Sequence, residues 1–469
     1  MVFSSLTFLF LFFPALFFAY FILARTRGQK NAVLLLFSIC FYGWGGVKLL
    51  ALIFLSIFMN HAFGLLVAPG RKRRKMWAWM AAAANLALLF CFKYLGFTTQ
   101  ILSSLFAAVP ALKIVLPIGI SFYTFQGMSY VLDVYHDDVP PEKSLANTAL
   151  YITLFPQLGA GPIVRYKTVA HEIRCRHESV ENVAEGMVRF SYGLAKKVLI
   201  ANQVGLLADS AFNQSAAFLS CGTAWLGILG YALQIYFDFS GYSDMAIGIG
   251  RMFGFHFLEN FNYPYISRSI TEFWRRWHIS LGSWFRDYVY VPLGGNRVSR
   301  GRHIRIFFVV GALTGFWHGA NWTFLFWGLY YALFLLGEKF LWGGALKKLP
   351  AWVQHLYAMV GILVGWVIFR ATEMAQIGTL TAAMFGFAQN GFWDGQATFL
   401  LLQYRWDLLL AGVLSCPVVP AVRKFMTRQG KAGATALTLL RPALSLGLLA
   451  LSLVRLVSSG FNPFIYFQF

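Results

Sequence analysis

Apolar stretches of roughly twenty residues follow one another along almost the whole chain, and Lys and Arg enter mainly as short clusters between them. Such runs exceed what one soluble core can cover, so lipid must be the solvent. In lipid every backbone N–H and C=O has to be satisfied within the structure, and helices do this segment by segment. Composition agrees: of 469 residues 58% are hydrophobic and 12% charged, about half the charged fraction of a soluble domain. The spans drawn on this basis are 5–24, 31–46, 49–68, 77–95, 114–132, 147–165, 187–207, 222–239, 305–341 as two helices, 353–369, 407–420 and 436–457. The expected fold class is all-α integral membrane, one polytopic domain over 1–469 with about ten to twelve spans.

The net charge of +21 does not point to nucleic acid, because no long soluble basic domain is present to hold a duplex. The positive charge is topological. Arg25, Arg27 and Lys30, the run 71–75, the stretch 251–305, and Arg423, Lys424, Arg428 and Lys431 should all face the cytoplasm. The N-terminus and the C-terminal 461–469 then lie outside. Parity allows this only if one segment before Arg251 fails to cross, and the sequence does not say which. The first apolar run lacks a basic n-region and continues to a basic stop, as an uncleaved span does. Five scattered cysteines form no CxxC pair or zinc-type grouping, so neither a disulfide framework nor a metal is expected.

Two stretches are too polar to be spans. Residues 169–188 suit a helix lying at the interface. Residues 251–305 hold nine Arg, three acidic residues and three His, with seven aromatic residues between Phe273 and Tyr290. A loop of that size is where function concentrates. Taken as one helix, 271–287 places Phe273, Trp277 and Trp284 at about 160°, 200° and 180°, and Arg275, His278 and Arg286 at about 0°, 300° and 20°. The basic face either snorkels to anionic lipid or receives a phosphate-bearing donor beside His278.

A second constellation surrounds His318. Gly311, Gly315 and Gly319 recur every four residues and admit a close helix neighbour. Thr314, Asn321 and Trp322 sit at i−4, i+3 and i+4 of His318, where they can orient its ring. An ionisable group inside the bilayer marks function by default, against the alternative of a neutral, hydrogen-bonded core histidine. In a third, Asp238 and Asp244 flank Gly241, as if a helix broke there against protein or water. They act on substrate or, more simply, serve as counter-ions for arginines of the 251–305 loop. No Walker loop, Rossmann fingerprint or GxSxG elbow occurs, which leaves a lone-histidine base as the chemistry that fits.

The stretches FDFSGYSDMAIGIGRMFGF at 237–255, NFNYPYISRSITEFWRRWHISLGSWFRDYVYVPLGGNR at 260–297 and GFWHGANWTFLFWG at 315–328 resemble the membrane-bound O-acyltransferase (MBOAT) family. Within it they are similar to the AlgI branch of alginate and polysaccharide O-acetyltransferases. The resemblance implies a ring of tilted helices with re-entrant and interfacial segments in the bacterial cytoplasmic membrane. It matches His318 to the family's essential histidine and His278 to its second characteristic position. It also implies acetyl-CoA as donor substrate, no bound cofactor, an SGNH-type periplasmic or extracellular partner and a polysaccharide acceptor. The candidate site is therefore His318 and His278 as catalytic residues, with Arg275, Arg286, Trp277, Trp317, Asn321, Asp238 and Asp244 facing substrate. D-alanyl or peptidoglycan acyl transfer is the nearest alternative. A polysaccharide or lipid transporter would share the composition but is expected to show repeated halves, which are missing here. A non-catalytic secretion scaffold is the third reading.

Overall fold

The computed structural model describes residues 1–117, 119–159, 161–387 and 389–459, and the regular structure among them is helical, with no strand. The C-terminal stretch 461–469, expected outside the membrane, lies beyond the described residues. Val47–Leu66, Arg74–Leu105, Ala351–Arg370, Gly395–Leu414 and Gly430–Ser458 are each long and apolar enough to cross a membrane. On Gly430–Ser458 the side chains of Leu439, Leu444, Leu446, Leu451 and Val454 are all more than half exposed. A face that apolar requires hydrocarbon around it.

The chain forms two compact units, Met1–Phe190 with Tyr242–Glu259 and Ser191–Gly241 with Asn260–Phe469. In the first, a capping box between Thr26 and Gln29 starts the helix Arg27–Gly43. Its core is phenylalanine-rich: the rings of Phe3, Phe8, Phe12, Phe41 and Phe155 lie 5.0–6.3 Å from one another in contacting pairs. Asn60 and Asn85, both fully buried, join two helices through amide bonds of 2.8 and 3.2 Å. Such pairs replace the hydrophobic drive that lipid removes. Near its basic end Glu178 accepts from Tyr20 and Arg27. Burial alone would raise its pKa, but those hydrogen bonds and the charges of Arg27 and Lys30 outweigh burial and hold it at about 2.

Residues 147–165 do not form a span: Leu145–Thr153 has nine residues, roughly 13 Å of helix against about 30 Å of hydrocarbon. The chain then turns through Phe155–Leu158, with Pro156 inside it. Residues 407–420 straddle the end of Gly395–Leu414 and a break before Val418–Arg428, so the spanning helix begins twelve residues earlier than hydropathy placed it. The polar stretch 169–188 is not one interfacial helix, because Tyr166–Arg174 ends before Val180–Ala195 begins.

In the second unit the helices Arg300–His318 and Trp322–Phe340 form a hairpin closed by Gly319, Ala320 and Asn321. The expected glycine seam is real. A Cβ on Gly311 would come 2.6 Å from the carbonyl oxygen of Gly328, and one on Gly315 would overlap the backbone of Phe324. No break occurs at Gly241, since Cys221–Met252 is a single 32-residue helix. The glycine there serves packing: a Cβ would sit 2.7 Å from the carbonyl oxygen of Gly193.

Candidate active site

The segment after Asn260 does not build the single amphipathic helix expected over 271–287. Ile270–Arg276, capped by Ser269 on the N–H of Glu272, stops at Arg276 and leaves Trp277 extended. His278 then takes a left-handed backbone at φ 45°, and Ile279–Phe285 restarts the helix. That conformation costs a non-glycine residue about 1–3 kcal/mol unless its surroundings impose it. Here they do. The carbonyl of Asn260 accepts from Ile279 N at 3.0 Å. Its side-chain Oδ1 accepts from Ser280 N at 3.2 Å and Ser280 Oγ at 2.9 Å, and lies 3.1 Å from Nδ1 of His278.

The break removes the common face assigned to Arg275, His278 and Arg286. Arg275 is exposed, and Arg286, also exposed, pairs with its neighbour Asp287 at 2.6 Å. Trp277 is buried among Phe273, Phe261, Tyr265 and Trp366, where its role is packing. His278 is itself 1% exposed, edge-on to Phe239 at 4.7 Å. Burial pushes its pKa down to about 3, so the imidazole is neutral at physiological pH.

His318 ends the helix Arg300–His318 and is 7% exposed. The polar neighbours expected around it are engaged elsewhere. Asn321 caps the next helix through Thr323 N and donates to the carbonyl of Thr372, and Thr314 returns its hydroxyl to Val310. Trp322 is half exposed. Aromatic edges hold the imidazole instead: Trp317, Trp327 and Phe369 stand 5.0–5.1 Å from it at 80–83°. Trp317 also approaches His278 at 6.0 Å, so the two histidines flank one indole.

Beside them lies a cavity of about 210 Å³. Its walls are His278, Trp274, Trp327 and Tyr331, with Leu281, Phe285, Phe307, Val310 and Leu335 making most of it apolar. Gly311 and Gly328, whose contact closes the hairpin, form part of the lining, and Arg286 and Tyr290 also face it. His318 does not line this space but packs edge-on against Trp327, which does. Arg275, Trp277, Trp317, Asn321, Asp238 and Asp244 do not line it.

The two aspartates are counter-ions, and the partners seen are basic residues outside the 251–305 loop. Asp238 meets Lys197 at 2.7 Å with both side chains 3% exposed, and Asp244 meets Arg189 at 2.7 Å. Lys197 escaped notice because it lies inside the apolar run 187–207, in the π-helical turn Lys196–Ala201. Asn260, Trp327 and Tyr331 were also missed. An asparagine in a loop and aromatics within an apolar helix carry no local signal of a site.

Residues 34–345 match the model of MBOAT, the membrane-bound O-acyltransferase family. Over the full length of both chains this sequence is 40% identical to a protein of Azotobacter vinelandii described as "Probable alginate O-acetylase AlgI", and 38% identical to one of Pseudomonas putida described in the same words. It is 34% identical to the peptidoglycan O-acetyltransferase of Helicobacter pylori, covering 82% of this chain and 80% of that one. Both histidines fall inside the matched region.

Proposed function

The chain belongs to the membrane-bound O-acyltransferase family, and from that premise we propose that it moves an acetyl group from cytoplasmic acetyl-CoA across the bacterial inner membrane for O-acetylation of an envelope polysaccharide of the alginate type. The observation that carries this reading is the pair of buried histidines flanking Trp317 beside an apolar chamber, in a chain similar over its whole length to alginate O-acetylases. The chamber suits the acyl thioester end of the donor, and Arg286 faces it as a cation for phosphate. In the transfer an acceptor hydroxyl attacks the thioester carbonyl while the imidazole of His318 takes the hydroxyl proton. The tetrahedral oxyanion then collapses, the C–S bond breaks, and the CoA thiolate leaves with that proton. General base catalysis of this kind supplies roughly 10² to 10⁴ in rate. Holding both substrates in line and excluding water supply much of the rest. An SGNH-type partner outside the membrane is the proposed immediate or final acceptor-side enzyme.

Similarity to the peptidoglycan enzyme keeps a second acceptor in view with the same chemistry. Mass spectrometry of surface polysaccharide and peptidoglycan, from cells with the chain, without it and with His318→Ala, tests both. Acetyl ester should appear on the exopolysaccharide only with the unaltered chain. Ester found on peptidoglycan alone transfers the assignment to that acceptor, and ester unchanged by deletion removes the function.

A further inference from the structure

We propose that Asn260 is a positioning residue that fixes His278 as its Nδ1–H tautomer, leaving the Nε2 lone pair to accept a proton or hydrogen bond in the transfer. The inference rests on the reading above only in giving His278 a part in the reaction.

The hydrogen-bond geometry decides the tautomer. A backbone N–H can only donate, so the 3.2 Å contact from Ser280 N identifies the Asn260 atom it meets as the oxygen. An amide turned the other way would set two donors against each other. That oxygen accepts and never donates, so His278 Nδ1, 3.1 Å from it, must carry the hydrogen. Ser280 Oγ spends its own proton on the same oxygen at 2.9 Å. Its 3.4 Å approach to Nδ1 is therefore as an acceptor, which again requires N–H there. A neutral imidazole has one ring proton, and with Nδ1 protonated Nε2 is the basic nitrogen.

Orientation follows from the same contacts. Asn260 is 1% exposed and grips the chain immediately after His278, through Ile279 N by its backbone and Ser280 by its side chain. The left-handed backbone at His278 points the ring where it lines the chamber. Second-layer partners of working histidines commonly set both tautomer and ring direction in this way.

Two measurements on the full-length protein test the proposal. The first needs no variant at residue 260: nitrogen NMR of protein labelled with ¹⁵N-histidine, with the His278 signals assigned by their loss in His278→Ala. A protonated-type shift at Nδ1 and an unprotonated-type shift at Nε2 are expected; the reverse pattern overturns the proposal. The second is a double-mutant cycle with its acceptor-side partner in proteoliposomes and acetyl-CoA as donor. Asn260→Ala should lower kcat by about 10- to 100-fold with donor KM unchanged, and Asn260→Asp, which keeps an acceptor, should recover most of it. Adding Asn260→Ala to His278→Ala should cost no further activity. Losses that multiply instead make Asn260 merely structural. If His278→Ala itself turns over normally while the NMR shows Nδ1–H, the tautomer stands and the role given to His278 in the transfer falls.

Discussion

At the scale of single residues, the site is decided by which side chains the broken segment 270–290 turns inward. Arg286 faces the chamber and Arg275 does not, although both belong to the same basic run. Arg286→Gln should therefore raise donor KM several-fold, roughly the loss of one exposed charge contact, with little change in kcat. Arg275→Gln should leave both within about twofold. Initial-rate kinetics against acetyl-CoA concentration separate the two, and equal effects would return both arginines to a general electrostatic role. His318 stands out in the sequence because an ionisable group amid apolar residues is costly enough to need a reason, and His278 because it lies among the arginines and aromatic residues of 251–305. The separation of Arg275 from His278 and Arg286 was not legible, since a helical wheel assumes an unbroken helix. Nothing local in ITEFWRRWHISLGSWF announces a left-handed histidine held from Asn260, eighteen residues away.

At the scale of elements, the hairpin Arg300–His318 with Trp322–Phe340 is held by backbone contact at Gly311, Gly315 and Gly328. Gly328→Ala would drive a methyl into the backbone of Gly311. It should lower the thermal midpoint in detergent markedly, by an overpacking cost of about 1–3 kcal/mol. Gly301→Ala in the first turn of the same helix meets nothing within 4 Å and should be neutral or slightly stabilising. Equal midpoints for the two variants would show that the helices separate without cost. The seam was readable as a period of four, but its partner was not, because Gly328 lies in a helix whose own pattern is simply apolar. The Lys197–Asp238 pair was hidden for the same reason: its lysine is one charge inside a long apolar run.

At the scale of the whole molecule, apolar runs and basic clusters gave the membrane class and most of the helices, and the family motifs gave the chemistry. What they did not give was which segment fails to cross. Withdrawing 145–158 from the segments drawn before Arg251 leaves seven helical stretches, 8–23, 27–43, 47–66, 74–105, 120–135, 180–212 and 221–252, of which 47–66 and 74–105 are long and apolar enough to cross a membrane. If all seven cross from an N-terminus outside, 253–299 should lie in the cytoplasm, the side its arginines favour. Ser299→Cys, in a background lacking the exposed Cys40, Cys91, Cys175 and Cys416, should react with an impermeant maleimide only after the cells are opened. Labelling of intact cells would invert the path of the donor. Acyl groups should enter on that side and leave on the other by way of His318. The direct measurement supplies radiolabelled acetyl-CoA to the cytoplasmic face only of proteoliposomes, with the acceptor-side partner on the opposite face. Label should accumulate on the opposite face with stoichiometric release of CoA, and His318→Ala of normal detergent stability should transfer none. Wild-type turnover by His318→Ala, or label that never leaves the donor side, would contradict the account.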